Sequence, residues 1–425
     1  MLVSMALVAG VHLRFGEVEA AEYPVWQKPD TLPDAKADMW GVSEQLGWEQ
    51  TDDSLLDPGP LADGRMKIGF EADEQGTRLY YTQLDSFARS LPAKLHTPLL
   101  TALHDTLPPS HARLLAAPEQ PHRQLPSMIS YKNIFQTDKK SAHNAETQLW
   151  ESMNRADGWT LDFYNDTESQ AWVEETFGDS QVVWAWDYLP RGVLKADFLR
   201  YLLPLVKGGV YSDTDTRPVR PIEQWGSLNV ELLNLSHTDG PDWESALSTH
   251  PAVIVAVDVD VHALPQDNWS VNWPRAWGIC QWTLSSAPHH PIFLDVTRRI
   301  VNSTHFVQDW DTARHARADA LRSDDRPAEA DALLARPTSD ALSVVEWTGP
   351  ATFTDAVLAY LLARYGVSWH RLRGLDHPIR IGDVLVLPIT AFSPGGQPDF
   401  KAEGRDSPQC NVVHNFAGSW KGDGA

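Results

Sequence analysis

Beyond residue 125, short apolar runs alternate with stretches of helical periodicity. Residues 125–137 (LPSMISYKNIFQT) read as a strand followed by a loop, and 158–165 (GWTLDFYN) alternate in the manner of a half-buried strand. Residues 169–177 predict a helix, and the strongly apolar 193–206 predict another. Gly208-Gly209 ends that helix, because glycine takes the backbone conformations of a C-cap at no steric cost. A short strand follows at 210–212. Further on, 252–261 (AVIVAVDVDV) form a strand, 291–301 a helix, 352–365 an amphipathic helix and 384–387 a last strand. This alternation predicts an α/β fold on a largely parallel sheet. No repeat is visible.

The N-terminal part reads differently. Residues 20–125 are polar and irregular, with scattered Pro and Asp and one helical stretch at 79–100, a composition that suits a stem. The apolar run 1–12 is about half of the roughly 20 residues that a membrane span requires. It also lacks the basic flank of a signal peptide. It is read as the remnant of a signal anchor, so that 1–124 form anchor remnant and stem and 125–425 the folded domain. Asn-x-Ser/Thr tripeptides at Asn165, Asn234, Asn268 and Asn302 lean towards a lumenal setting. Residues 313–336, rich in Ala, Arg and Asp without an apolar stripe, are expected to be a surface insertion, helical or partly disordered.

Charge narrows the chemistry. A formal net charge of −22 leaves no basic footprint for nucleic acid. To bind an anionic ligand, such a chain needs a cation, a helix N-terminus or a local arginine, which points to a bound divalent ion. Two cysteines, Cys280 and Cys410, cannot build a zinc constellation, although they could pair in an oxidising compartment. The 18 tryptophans are first of all core-forming residues, and stacking on a sugar is their second use.

The chemically informative segment is 194–221, LKADFLRYLLPLVKGGVYSDTDTRPVRP. Asp213-Thr214-Asp215 follows a short strand, and residues i and i+2 of an extended segment point the same way. Two such carboxylates can hold a hard cation that bridges diphosphate oxygens. A lone D-x-D is weak, since Asp258-Val259-Asp260 is another in the same chain. Asp197 and Arg200, three apart, share a helix face. They either pair with each other or both reach an anionic, hydroxyl-rich ligand. The whole string A-D-x-x-R-Y-x-x-x-x-x-x-G-G-x-Y-x-D-x-D is far more specific than any part of it. Asp258 and Asp260 close the strongest later strand, where ligand sites of α/β sheets gather. One of them is expected to face an acceptor hydroxyl, and Asp260 is counted among the catalytic candidates.

This string resembles the D-x-D sugar-binding region of glycosyltransferase family 32, and other segments extend the resemblance over 125–421. They are Ile134-Phe135-Gln136-Thr137, Cys280-Gln281-Trp282-Thr283, His290-Pro291, Thr348-Gly349-Pro350, Phe353-Thr354, 389–394 (ITAFSP), and His414-x-Phe416-x-Gly418-Ser419-Trp420-Lys421. Within the family, the initiating α-1,6-mannosyltransferases are most similar. The resemblance implies a GT-A (Rossmann-like) catalytic domain and retaining transfer of mannose from GDP-mannose to an N-glycan acceptor. It also implies Mn²⁺ or Mg²⁺ held by Asp213, Asp215 and His414. Asp197, Arg200 and Asp213 are expected on the donor, Phe135 with Gln136 against the nucleotide base, and Asp215, Asp197, Arg200 and Asp260 in catalysis. No side chain stands out as a nucleophile, so a front-face displacement is expected. A Golgi, type II, lumenal protein follows, with a glycoprotein acceptor and a place in a Golgi glycosyltransferase complex. The alternatives are an inositol-phosphorylceramide mannosyltransferase, a non-catalytic sugar-binding protein on the same fold, or a two-carboxylate glycoside hydrolase. Pro204 departs from the pattern, and is expected to kink the helix after Arg200 or end it early.

Overall fold

The structure, a computed structural model, describes residues 64–108, 111, 114–115, 125–139, 143–226, 251–261, 269, 272–395 and 400–417. The apolar run 1–12, the tripeptides at Asn234 and Asn268, and the motif residues 418–421 lie outside the described residues.

Two helices come first, α1 (Glu74–Ser90) and α2 (Ala93–Asp105). The α/β body then runs β1 (Asn133–Thr137), α3 (Ala145–Asn154), β2 (Thr160–Tyr164), α4 (Asp166–Phe177), α5 (Gln181–Tyr188), α6 (Gly192–Lys207), β3 (Gly209–Ser212) and β4 (Thr216–Pro218). It continues with β5 (Val253–Asp260), β6 (Trp277–Ile279), β7 (Thr283–Ser286), α7 (Pro291–Ser323), α8 (Pro327–Leu334), α9 (Val344–Trp347) and α10 (Pro350–Tyr365). It closes with β8 (Ile379–Ile381), β9 (Val384–Leu387) and β10 (Val412–His414).

The main sheet has the order β2-β1-β3-β7-β5-β9-β8, with β6 on β5. β2, β1 and β3 are parallel, β7 runs antiparallel between β3 and β5, and β9 is parallel to β5. The tips of β3 and β5 therefore open at the same end of the sheet. Side-chain alternation divides the core over the two faces. Ile134, Val210 and Ile254 belong to one buried cluster, while Phe135, Tyr211, Val253 and Val255 belong to the other. A separate ribbon pairs β4 with β10, setting His414 opposite Thr216.

Several expectations change. The stem reading fails for the described part of 64–124. Tyr80, Tyr81, Leu84, Leu99 and Leu103 of α1 and α2 lie in the same buried cluster as α6 and α10, so these helices belong to the α/β body. The 313–336 segment is helical: α7 runs on for 33 residues and folds against α8 through Ala318, Leu321 and Ala330. Pro204 does not end α6 early. It sits in the last turn, where its missing N–H removes one bond, and the helix continues to Lys207. Gly208 and Gly209 then turn the chain with φ of +68° and +116°. A Cβ on Gly209 would come within 2.4 Å of the Asn133 carbonyl oxygen, so this position needs glycine for its close approach to β1. Cys280 and Cys410 are both buried and unpaired. Among the described residues, no helix is long and apolar enough to cross a membrane.

One polar hub ties the far edge of the sheet to the helices. Asp383, between β8 and β9, accepts hydrogen bonds from Tyr360 (2.8 Å), Tyr365 (2.8 Å) and His290 Nε2 (3.1 Å). His290 Nδ1 in turn accepts from the Ile292 N–H and caps α7, which gives the His-Pro motif a structural use. Burial alone would raise the Asp383 pKa, but His290 and the two tyrosines hold it down at about 2. A depressed folded-state pKa stabilises the fold above the carboxyl's ordinary value of 3.8 and loses that contribution as pH falls towards 2. We expect Asp383→Asn to cost about 2 kcal/mol at neutral pH and to flatten the stability profile between pH 4 and 2, read by thermal denaturation.

Candidate metal and donor site

The site lies at the tip of β3. Asp213 and Asp215 leave the strand in a tight turn: the Asp213 N–H donates to the Trp282 carbonyl at 2.8 Å and the Thr216 N–H to the Asp213 carbonyl at 3.1 Å. From the flank, Asn144 Nδ2 donates to the Thr214 carbonyl at 2.7 Å and holds the middle of the D-x-D in place. Pairing of β10 with β4 then delivers His414, with its Nε2 3.2 Å from Asp215 Oδ1. One ligand atom from each of Asp213, Asp215 and His414 lies within 4.8 Å of the others. The imidazole lies stacked over Trp282, with ring centroids 4.5 Å apart and planes at 16°, and its buried Nδ1 has no hydrogen-bond partner.

This donor set fits a divalent cation. Two carboxylates supply charge and an imidazole supplies a nitrogen, a combination that suits Mn²⁺ better than the strictly oxygen-seeking Mg²⁺. Asp215 is further held by the Ala417 N–H at 2.9 Å. Burial raises its pKa, but the hydrogen bond and charge of His414 outweigh this and leave it lowered, so the carboxylate is ionised at neutral pH.

Beneath the triad lies a buried ion pair. Asp197 and Arg200 on α6 are 1% and 6% exposed, and Arg200 Nη2 lies 2.8 Å from Asp197 Oδ1 and 3.4 Å from Asp213 Oδ1. Asp197 also accepts from Thr348 Oγ1 (3.0 Å) and Gln281 Nε2 (3.2 Å), and Arg200 Nη1 donates to the Gln281 carbonyl at 3.2 Å. Burial pushes the Asp197 pKa up to about 6 against the pull of Arg200. Burial alone would lower the Arg200 pKa, but Asp213 and Asp197 reverse this, and the guanidinium stays charged. Its buried Nε has no partner.

The structure thus brings Asp197, Arg200, Asp213, Asp215 and His414 together. It separates two others. Phe135 is fully buried in the main core with its ring near Tyr164, so it cannot lie against a nucleotide base. Strand parity is the reason, since Phe135 pairs with Tyr211 on the core side. Gln136 is also fully buried, and its Nε2 donates to the Asp213 carbonyl at 3.4 Å, so it touches the metal loop's backbone. Asp260 is turned away: its Oδ2 accepts the Gly374 N–H, beside the charge of Arg373. The other member of that D-x-D, Asp258, faces the His414 side, where Ser393 Oγ donates to it at 3.4 Å and burial pushes its pKa up to about 6. Sequence reasoning left Tyr211, Gln281, Trp282 and Thr348 as motif letters without roles, and it missed Asn144. Tyr211, whose hydroxyl donates to Asp213 Oδ1 at 2.7 Å, was detectable, because it stands two residues before Asp213 on the same strand.

Residues 127–231 match the family described as glycosyltransferase sugar-binding region containing DXD motif. The initiation-specific alpha-1,6-mannosyltransferase of Schizosaccharomyces pombe is 36% identical over 264 residues, which are 61% of this chain and 55% of that protein. The protein of the same name from Candida albicans is 28% identical over 69% of this chain and 72% of its own length. The one from Saccharomyces cerevisiae is 27% identical over 57% and 66%. The chain thus spans little more than half the length of the S. pombe relative. Among solved structures, the catalytic domain of alpha-toxin from Clostridium novyi aligns over 68% of this chain and 83% of that one, at 9% identity and a TM-score of 0.32.

In the presence of a nucleoside diphosphate, Asp215→Asn is expected to weaken Mn²⁺ binding at least ~100-fold by titration calorimetry. Trp282→Leu, which keeps every ligand but removes the ring under His414, is expected to weaken it about tenfold.

Proposed function

We propose that this chain, whose residues 127–231 match a DXD-containing glycosyltransferase sugar-binding region, is a metal-dependent retaining mannosyltransferase that moves mannose from GDP-mannose to an N-glycan in α-1,6 linkage. The observation that carries the reading is the convergence of Asp213, Asp215 and His414 at one strand tip, directly above the buried Asp197–Arg200 pair. The mannosyl and α-1,6 parts rest on the relatives of that name.

Asp213, Asp215 and His414 would hold the ion. A bound Mn²⁺ or Mg²⁺ supplies positive charge against the departing diphosphate. Arg200 keeps a fixed positive charge below the same spot. Asp197, locked by Thr348 and Gln281, acts through Arg200 and is a positioning residue. A lumenal, membrane-anchored place in the Golgi, and work beside other glycosyltransferases, belong to the same proposal. The Asn165 and Asn302 tripeptides lend it support, and Asn302 is exposed on α7.

The test is a nucleotide-sugar panel read out as diphosphate release. GDP release from GDP-mannose with Mn²⁺ is expected, abolished by EDTA and reduced about 1000-fold or more by Asp215→Asn. Release that ignores EDTA, or no release from any donor, would contradict the proposal.

A further inference from the structure

Four largely buried carboxylates among the described residues each come with several donors. Asp295 holds Arg298 and Arg299, Asp355 holds Arg275 and the Lys67 N–H, Asp383 holds His290, Tyr360 and Tyr365, and Asp197 holds Arg200, Thr348 and Gln281. This is what the cost of desolvating a charge demands. Asp258, which is partly buried, is poorer in donors. Its one hydrogen-bond donor among the described residues is Ser393 Oγ, at 3.4 Å, and no Lys or Arg pairs with it.

Its position is as informative as its isolation. β5 runs parallel to β3 across β7, so Asp258 stands at the sheet end where Asp213 and Asp215 leave β3. Ser393 follows the short turn of Ile389–Ala391, and the Ala391 carbonyl accepts the N–H of Asn411, just before the strand that carries His414. Asp258 is near enough to His414 and Cys280 to feel the first and to perturb the second. The pairing of β5 with β6 slips between Val257 and Val259, and this irregularity parts Asp258 from Asp260, which goes to Gly374.

We propose that Asp258 is the residue that faces the acceptor sugar and takes the proton of its attacking hydroxyl. The inference rests on the transferase reading above. In the step, the acceptor oxygen bonds to the anomeric carbon and the bond from that carbon to the diphosphate oxygen breaks. The electron pair leaves on the nucleoside diphosphate, and the hydroxyl proton passes to the Asp258 carboxylate. An uncompensated carboxylate is what this task requires, since an arginine partner would tie up the oxygen and weaken it as a base. Ser393 is a positioning residue.

The test compares wild type with Asp258→Asn and Ser393→Ala. Because Asp258→Asn removes a charge with no cation partner, its melting temperature should equal or exceed that of wild type. Affinity for GDP with Mn²⁺ should stay within about threefold, while kcat for transfer to a mannoside acceptor falls at least ~100-fold with the donor KM unmoved. Ser393→Ala should lose about tenfold or less in kcat. Transfer by Asp258→Asn within tenfold of wild type would overturn the inference. So would a fall in metal–nucleotide affinity in step with kcat, or a mannosyl adduct on Asp258 trapped for mass spectrometry. A wild-type chain that transfers to no acceptor would sink the transferase reading and this inference with it. An active wild type with an equally active Asp258→Asn would sink this inference alone.

Discussion

The ion pair between Asp197 and Arg200, taken out of water beneath the tip of β3, is the constraint around which the site is organised. Burying two charges costs several kcal/mol for each unless every lone pair and N–H finds a partner. Those partners come from segments far apart in the chain. Gln281 comes from the turn between β6 and β7, Thr348 from the start of the T-G-P motif, and Asp213 from the strand tip. The motif's other letters keep Thr348 in place. A Cβ on Gly349 would lie 2.6 Å from the Val345 Cα, Pro350 opens α10, and Phe353 stacks on Tyr201 at 5.1 Å. Five short motifs, each weak alone, are thus the visible parts of one solvation problem.

Above that pair, the two acidic residues face each other with help from opposite sides. Tyr211 and Arg200 steady Asp213, and His414 and the Ala417 N–H steady Asp215. The loop between them is pinned through its backbone by Asn144 and Trp282. Preorganisation of this kind is what a metal centre needs, because ligands held by packing lose little freedom when the ion arrives.

Much of this was legible before any coordinates. Strands β1, β2, β3, β5 and β9 and helices α4, α6, α7 and α10 followed from apolar periodicity, whereas the three- and four-residue strands β4, β6, β7 and β8 are too short to show a period. The i, i+2 spacing of Asp213 and Asp215 placed both carboxylates at one tip. What failed did so for identifiable reasons. Phe135 was assigned to a ligand because its motif position outweighed strand parity, which turns it into the core with Tyr211. Asp260 was counted among the catalytic candidates, and the register slip that parts it from Asp258 is invisible in sequence. The 64–108 helices were taken for stem because their polar faces dilute the apolar positions 80, 81, 84 and 88, which do recur at helical spacing.

The central claim is that Asp213, Asp215 and His414 form a metal centre. It is tested most directly by anomalous diffraction at the manganese edge from crystals soaked in Mn²⁺ and GDP. One peak within bonding distance of Asp215 and of at least one of its two partners is the predicted result. A peak elsewhere, or none at this strand tip at full GDP occupancy, would contradict the account.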